Sequence, residues 1–278
     1  MLNKKSHKQS WLGSGILLTT EIVVEEDLVL RPRRIESGLD DLRGRARSQF
    51  EFGLLCSIAP RITFELATWG TTPEEAAAKS WNNQYALIFL SIVLRKFVQY
   101  WIQTSGESSA DQEAILAVSL THGMPLLKSE ATPVEIDALQ NWTRLLPSFK
   151  RLLEIERFRF AASIAATLYV QPNPVIQVAS IFSAIEALVD VDQELRFRIS
   201  MIVARLLAND ATGRQELFSR MKKLYDARSK CVHGGGLAGE KLVECRDASL
   251  DVLQRLIMHF VVYGELPDRQ NLEGLLLS

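Results

Sequence analysis

Met221-Lys222-Lys223-Leu224-Tyr225-Asp226-Ala227-Arg228-Ser229-Lys230-Cys231-Val232-His233-Gly234 closes a helical stretch and leads into three glycines, Gly234 to Gly236. Leu217, Met221 and Leu224 recur at spacings of four and three, which lays one apolar stripe along a helix. Arg228 and His233 stand either side of four residues. The guanidinium is a permanently charged, forked donor, suited to two-point contact with a phosphate. A histidine, with an unperturbed pKa of about 6.5, can take or give a proton near neutral pH. Five residues along a continuous helix turn about 500°, leaving the two side chains about 140° apart. One helix therefore does not easily aim both groups at one phosphate. Either His233 sits where the helix unwinds into the glycines, or two copies of the motif meet across a two-fold axis. A plain helix end is the competing reading, because a histidine ahead of glycine also meets the helix dipole and the last carbonyls.

Working outward, residues 175–189, 194–208, 214–232 and 241–263 carry helical periodicity, as in Ile181, Ile185 and Leu188. Their short connectors predict an antiparallel helical bundle. Pro172 and Pro174 mark a boundary near Gln171. Between Arg196 and Lys230 nine basic residues face three acids, a local charge of about +6 in a chain whose net charge is -1. Such a stretch suits a phosphate backbone, with a solvated helix face as the plainer explanation.

These residues carry a family resemblance. Ile181-Phe182-Ser183-Ala184-Ile185-Glu186-Ala187-Leu188, Arg196-Phe197-Arg198-Ile199-Ser200 with Ala204-Arg205-Leu206-Leu207, and Tyr225-x2-Arg228-Ser229-x3-His233-Gly234 resemble the helices of HEPN domains, most closely the Apea-like branch. The resemblance covers roughly residues 175–263 and implies a dimeric, metal-independent ribonuclease without a cofactor. In that reading Arg228 and His233 are catalytic and two motifs converge at a homodimer cleft. Glu186 takes the family's acidic position and orients Arg228 or His233. Ser229 stands where the wider family favours Asn, Asp or His, and Tyr225 stacks on a base or on the guanidinium. Lys222, Lys223 and Lys230 contact RNA. The family further implies prokaryotic defence or toxin-type roles, with a regulatory partner or antitoxin. The rival expectation is a noncatalytic module that uses the same bundle for dimerisation, RNA binding or partner docking.

The first half reads differently. Residues 15–30 are rich in Ile, Val, Leu and Thr and predict two short strands, and the alternation of Ile62, Phe64 and Leu66 predicts another. Residues 1–9 are polar, with His7 in a mobile terminus, and residues 31–47 form a connection. Thr72-Pro73-Glu74-Glu75 is a capping box that opens a helix toward Ile102. Thr132-Pro133-Val134-Glu135 repeats the device before a helix that Pro147 ends, and residues 148–169 form the next. Trp11, Trp69, Trp81, Trp101 and Trp142 are expected in core or edge packing. His122, before Gly123 and Pro125, reads as a loop residue, and His259 lacks acidic or cysteine neighbours at metal-ligand spacing. The glycine run follows a helix and lacks Gly-Lys-Ser/Thr, so it is not a phosphate loop.

Hydrophobic content of 47% and charge of 23% describe an ordinary globular protein. Cys56, Cys231 and Cys245 form no disulfide framework or zinc pattern, which suits a reducing cytoplasm. Cys231 is expected to be buried packing. The apolar run at residues 85–98 is interrupted by Arg95 and Lys96 and is too short for a bilayer. The expected architecture is mainly α: an antiparallel, HEPN-like bundle over residues 172–266, a helical region over 71–171 packing on it, and a small β-containing segment over 1–70.

Overall fold

A computed structural model describes residues 7–107, 114–118, 130–191, 193–232 and 239–277. The chain divides into two compact units, Met1–Thr143 and Arg144–Ser278. In the first, strands β1 (His7–Ser14), β2 (Ile16–Leu17), β3 (Ile22–Glu25) and β4 (Leu28–Pro32) precede helices α1 (Leu39–Arg45) and α2 (Gln49–Ile58). Then come β5 (Phe64–Gly70), α3 (Pro73–Leu94), β6 (Gln99–Glu107), β7 (Ala114–Val118) and β8 (Thr132–Pro133). Helix α4 (Ile136–Leu152) crosses the division. The second unit holds α5 (Glu156–Thr167), α6 (Pro174–Val189), α7 (Leu195–Leu207), α8 (Ala211–Val232), α9 (Glu240–Tyr263) and α10 (Arg269–Leu277).

The first unit is a six-stranded antiparallel sheet in the order β3-β4-β5-β1-β6-β7. It is not the small N-terminal β segment that the sequence suggested, and the chain is mostly helical rather than all-helical. Residues 7–14 are its central strand, paired with β5 on one side and β6 on the other. His7 therefore begins a strand instead of lying in a loose terminus. Helix α3 covers one face, where Trp11 Nε1 donates to the Ser80 carbonyl at 3.0 Å and Asn83 Nδ2 to Thr68 Oγ1 at 3.2 Å. On the other face Leu12 and Ile102 pack with Leu42, Leu55 and Ile58 from α1 and α2. Residues 31–47 thus contain a helix as well as a connection.

Strand pairing also places Lys8, Ser10 and Arg31 on the face that carries Glu65. Glu65 is fully buried. Its carboxylate accepts from Arg31 Nε at 2.9 Å, Ser10 Oγ at 2.6 Å and Lys8 Nζ at 3.1 Å. Burial pulls its pKa upward, but the Arg31 hydrogen bond and the Lys8 charge, with Ser10, outweigh that and hold it below the ordinary carboxylate range.

Helix α3 begins as its capping box predicts, with Thr72 accepting from the Glu75 amide at 3.2 Å; the Glu75 side chain reaches back to the Thr71 amide at 2.7 Å. It stops at Leu94 because Arg95 turns left-handed (φ 52°), so the chain re-enters the sheet as β6 and does not continue helically to Ile102. Thr132 and Pro133 do not cap a helix; they pair in parallel with Ile16 and Leu17. Pro147 lies inside α4 rather than ending it. Among the tryptophans, Trp101 and Trp142 are fully buried, whereas Trp81 is 60% exposed and packs in no core.

In the second unit the expected four helices form within a few residues of their predicted ends. Helix α6 packs on α5, α7, α8 and α9, and α10 packs on α7. The division falls at Thr143/Arg144 rather than near Gln171, because α5 belongs with α6 and α9. Phe149 of α4 meets Phe158 of α5 edge-on, with ring centroids 5.7 Å apart.

Replacing the buried carboxylate by an amide removes the counter-charge from two cations. Glu65→Gln is expected to lower the unfolding free energy by about 3 kcal/mol, read by chemical denaturation. The wild-type contribution is complete above the unfolded carboxyl pKa, 4.5, and is lost as pH falls through the lower folded value. The variant should therefore show a flatter acid limb; equal stability and an unchanged acid limb would show that the cluster contributes nothing.

Candidate functional site

Helix α6 starts at Pro174, where the Asn173 side chain accepts from the Val175 amide at 2.9 Å. Its apolar face buries Ile181, Phe182, Ile185 and Leu188. Helix α8 answers with Leu217, Met221, Leu224 and Cys231. Two side-chain pairs join these helices beyond the core. Phe182 meets Tyr225 edge-on, centroids 5.6 Å apart, and Glu186 Oε1 lies 3.9 Å from an Arg228 amino nitrogen. Both pairs climb together in sequence, so α6 and α8 run in the same direction. The Arg228 guanidinium also lies over the Tyr225 ring, 5.7 Å from its centre. Glu186, Tyr225 and Arg228, three of the residues singled out in the sequence, thus form one cluster. Phe182 is the fourth member, legible only in that it precedes Glu186 by four residues as Tyr225 precedes Arg228 by three.

The pair is half-made. Both side chains are 22% exposed, yet Arg228 Nε and Glu186 Oε1 are buried with no hydrogen-bond partner among the described residues. The contrast within the same helix is sharp: Asp226 takes both arms of Arg196, at 2.6 and 2.7 Å. Burial pushes the Glu186 carboxyl above its ordinary pKa, and the Arg228 charge only partly offsets it. Burial also raises the Tyr225 hydroxyl, with Glu186 adding to it and Arg228 opposing. The parts of both side chains that remain exposed are where a further polar group can reach them.

The expected continuous basic face is dispersed. Arg196 is engaged by Asp226, Arg198 by Glu194 at 3.2 Å, and Arg214 by the carbonyls of Ala208 and Asn209. Lys222 lies over the Phe218 ring at 5.2 Å, and Lys223 and Lys230 are exposed. Ser229 is half-buried. Cys231 is buried, and that burial raises its thiol pKa, in keeping with a packing role. His233, the glycines 234–236 and the segment with His122, Gly123 and Pro125 lie outside the described residues. His259 stacks on Tyr263, ring centroids 4.4 Å apart.

Among the described residues no three His, Cys, Asp or Glu side chains gather as metal ligands would, and no helix is long and apolar enough to cross a membrane. Compared with protein-family models, curated proteins and solved structures, the chain finds no match in any of the three.

Because the folded Glu186 carboxyl binds its proton more tightly than the unfolded one, stability should fall as pH rises from 4.5 through the raised folded value. Glu186→Gln removes that slope. Comparing the two proteins by denaturant unfolding across this window checks it; parallel profiles would mean that the carboxyl is not held as described.

Proposed function

We propose that the chain is a metal-independent endoribonuclease, in which Arg228 binds the phosphate and His233 moves protons at a site completed by a second copy. The observation that carries this reading is the half-made pair between Arg228 of α8, five residues before His233 in the sequence, and Glu186 of α6. An arginine held by a ring and a carboxylate, its side chain still 22% exposed, can present its guanidinium to an anionic oxygen. That two motifs face one another across a two-fold axis is what the HEPN resemblance implies.

The chemistry needs no external nucleophile. The ribose 2′-oxygen attacks phosphorus as one histidine takes its proton. The bond to the 5′-oxygen breaks, and a second histidine protonates that leaving group. The products are a 2′,3′-cyclic phosphate and a 5′-hydroxyl. Arg228 binds the negative charge gathering on the phosphoryl oxygens, Glu186 and Tyr225 hold the guanidinium in place, and Ser229, Lys222, Lys223 and Lys230 supply further polar contact with RNA. No cofactor is required. A cytoplasmic setting, a role in prokaryotic defence and restraint by an antitoxin-like partner belong to the same reading and rest on the HEPN resemblance alone.

A noncatalytic module is the second reading. It is favoured by Glu186 itself, whose carboxyl competes with a phosphate for Arg228. In that case the bundle binds RNA or docks a partner without cutting.

With EDTA present, wild type should cleave RNA and leave cyclic phosphate ends, while Arg228→Ala and His233→Ala each lose about 100-fold or more. Loss of cleavage with RNA binding retained in His233→Ala separates catalysis from docking. Equal activity in all three proteins would place the chemistry elsewhere.

A further inference from the structure

The face of α8 turned toward α7 carries a second arrangement that the Arg228 cluster does not use. Phe218, Lys222, Asp226 and Lys230 follow one another at four-residue spacing, a ridge about 18 Å long. Across the seam, Phe197 of α7 meets Phe218 edge-on, centroids 5.7 Å apart, and Arg196 clamps Asp226. Lys222 lies over the Phe218 ring. The Asp226 carboxyl is held below its ordinary range first by the Arg196 hydrogen bonds, and Lys230 and Lys222 act on it from the same ridge. One acid thus stands among three cations.

Phe197 is 50% exposed, although an apolar ring gains from burial. Its T-shaped contact with Phe218 restricts its orientation while half of it stays exposed. An exposed ring beside lysines is a pattern by which a strand of nucleic acid is gripped: the charges follow phosphates, and the ring stacks on a base. An acidic protein would use the charges but gain little from a fixed flat ring.

We propose that Phe197, with Lys222 and Lys230, forms a binding track in which an unpaired base stacks on Phe197 and the neighbouring phosphates lie along the α8 ridge. The proposal rests on the RNA-directed reading above and adds residues that set affinity and strandedness. Asp226 is a positioning residue: its bonds to Arg196 hold the end of α7 that carries Phe197 against the ridge.

The test uses the full chain and a fluorescent 2′-O-methyl oligouridylate, which binds as RNA does but lacks the attacking hydroxyl. Binding is followed by anisotropy over a range of salt. Phe197→Leu, which keeps apolar packing on Phe218, should weaken binding roughly ten-fold, and Phe197→Trp should restore it. Lys222→Ala with Lys230→Ala should lower the salt slope by about 1.4, the loss of two phosphate contacts on a single strand. A duplex of the same length should be insensitive to Phe197→Leu, because its bases are already stacked.

If these variants bind like wild type while Arg228→Ala and His233→Ala still abolish cleavage, the track is wrong and the nuclease reading stands. If they lose binding in a wild-type background that cuts no RNA, the track stands and the nuclease reading fails. A wild type that binds no oligonucleotide overturns the track outright. Equal binding of poly-glutamate, with the same loss in the lysine variants, would reassign the face to an acidic protein.

Discussion

A guanidinium drawn out of water must recover its lost hydration from fixed partners, and Arg228 recovers only part of it. Glu186 approaches at 3.9 Å, Tyr225 covers one face, and Nε remains buried without a partner among the described residues. A buried donor left unsatisfied costs about 1–3 kcal/mol. The rest of the second unit supports this arrangement. Phe182 on α6 and Tyr225 on α8 fix the depth at which the two helices meet. The apolar residues of both helices, among them Ile181, Ile185, Met221 and Leu224, hold that registry from beneath. Glu65 with Arg31, Lys8 and Ser10, and Asp226 with Arg196, make closer contacts than this pair does.

In the proposed reading, two faces of α8 divide the work of meeting a polyanion. Toward α6, Arg228 offers a guanidinium in partial shelter, where electrostatics are strong. Toward α7, Lys222 and Lys230 offer charge that is individually weak and sensitive to salt. The first arrangement suits the stabilisation of a changing charge at one phosphate, and the second suits retention of a chain of them. Glu186 tempers the first when its carboxylate is ionised, and burial, by raising its pKa, narrows the pH range over which it does so.

The helical half of the fold was largely legible. Ile181, Ile185 and Leu188, then Leu217, Met221 and Leu224, follow the helical period, and local punctuation at Thr72-Pro73 fixes one helix start within a residue. The sheet was hidden for a physical reason. His7-Lys8-Gln9-Ser10 looks like a polar terminus because its compensation comes from Glu65, more than fifty residues away, and from strands on both sides. Trp101 and Ile102 carry no mark that distinguishes a strand from the tail of a helix; the left-handed turn at Arg95 decides it, and arginine does not advertise such a turn. Within the site, Glu186, Tyr225 and Arg228 were legible and do come together. Phe182, the Arg196–Asp226 clamp and the Phe197–Phe218 pair were not, because each depends on which helices become neighbours. The charge count likewise overstated the basic face, since Glu194, Asp226 and helix-end carbonyls occupy several of its arginines.

The central claim is that the partly exposed Arg228 guanidinium binds a phosphate. Its most direct test is the Nε–H resonance of Arg228 in nitrogen-15 spectra, assigned by loss in Arg228→Lys and followed as uncleavable 2′-O-methyl RNA is added. The account predicts a downfield shift and slowed solvent exchange at saturation, as a charge-assisted hydrogen bond forms. A resonance that stays unchanged while RNA saturates the protein would contradict it.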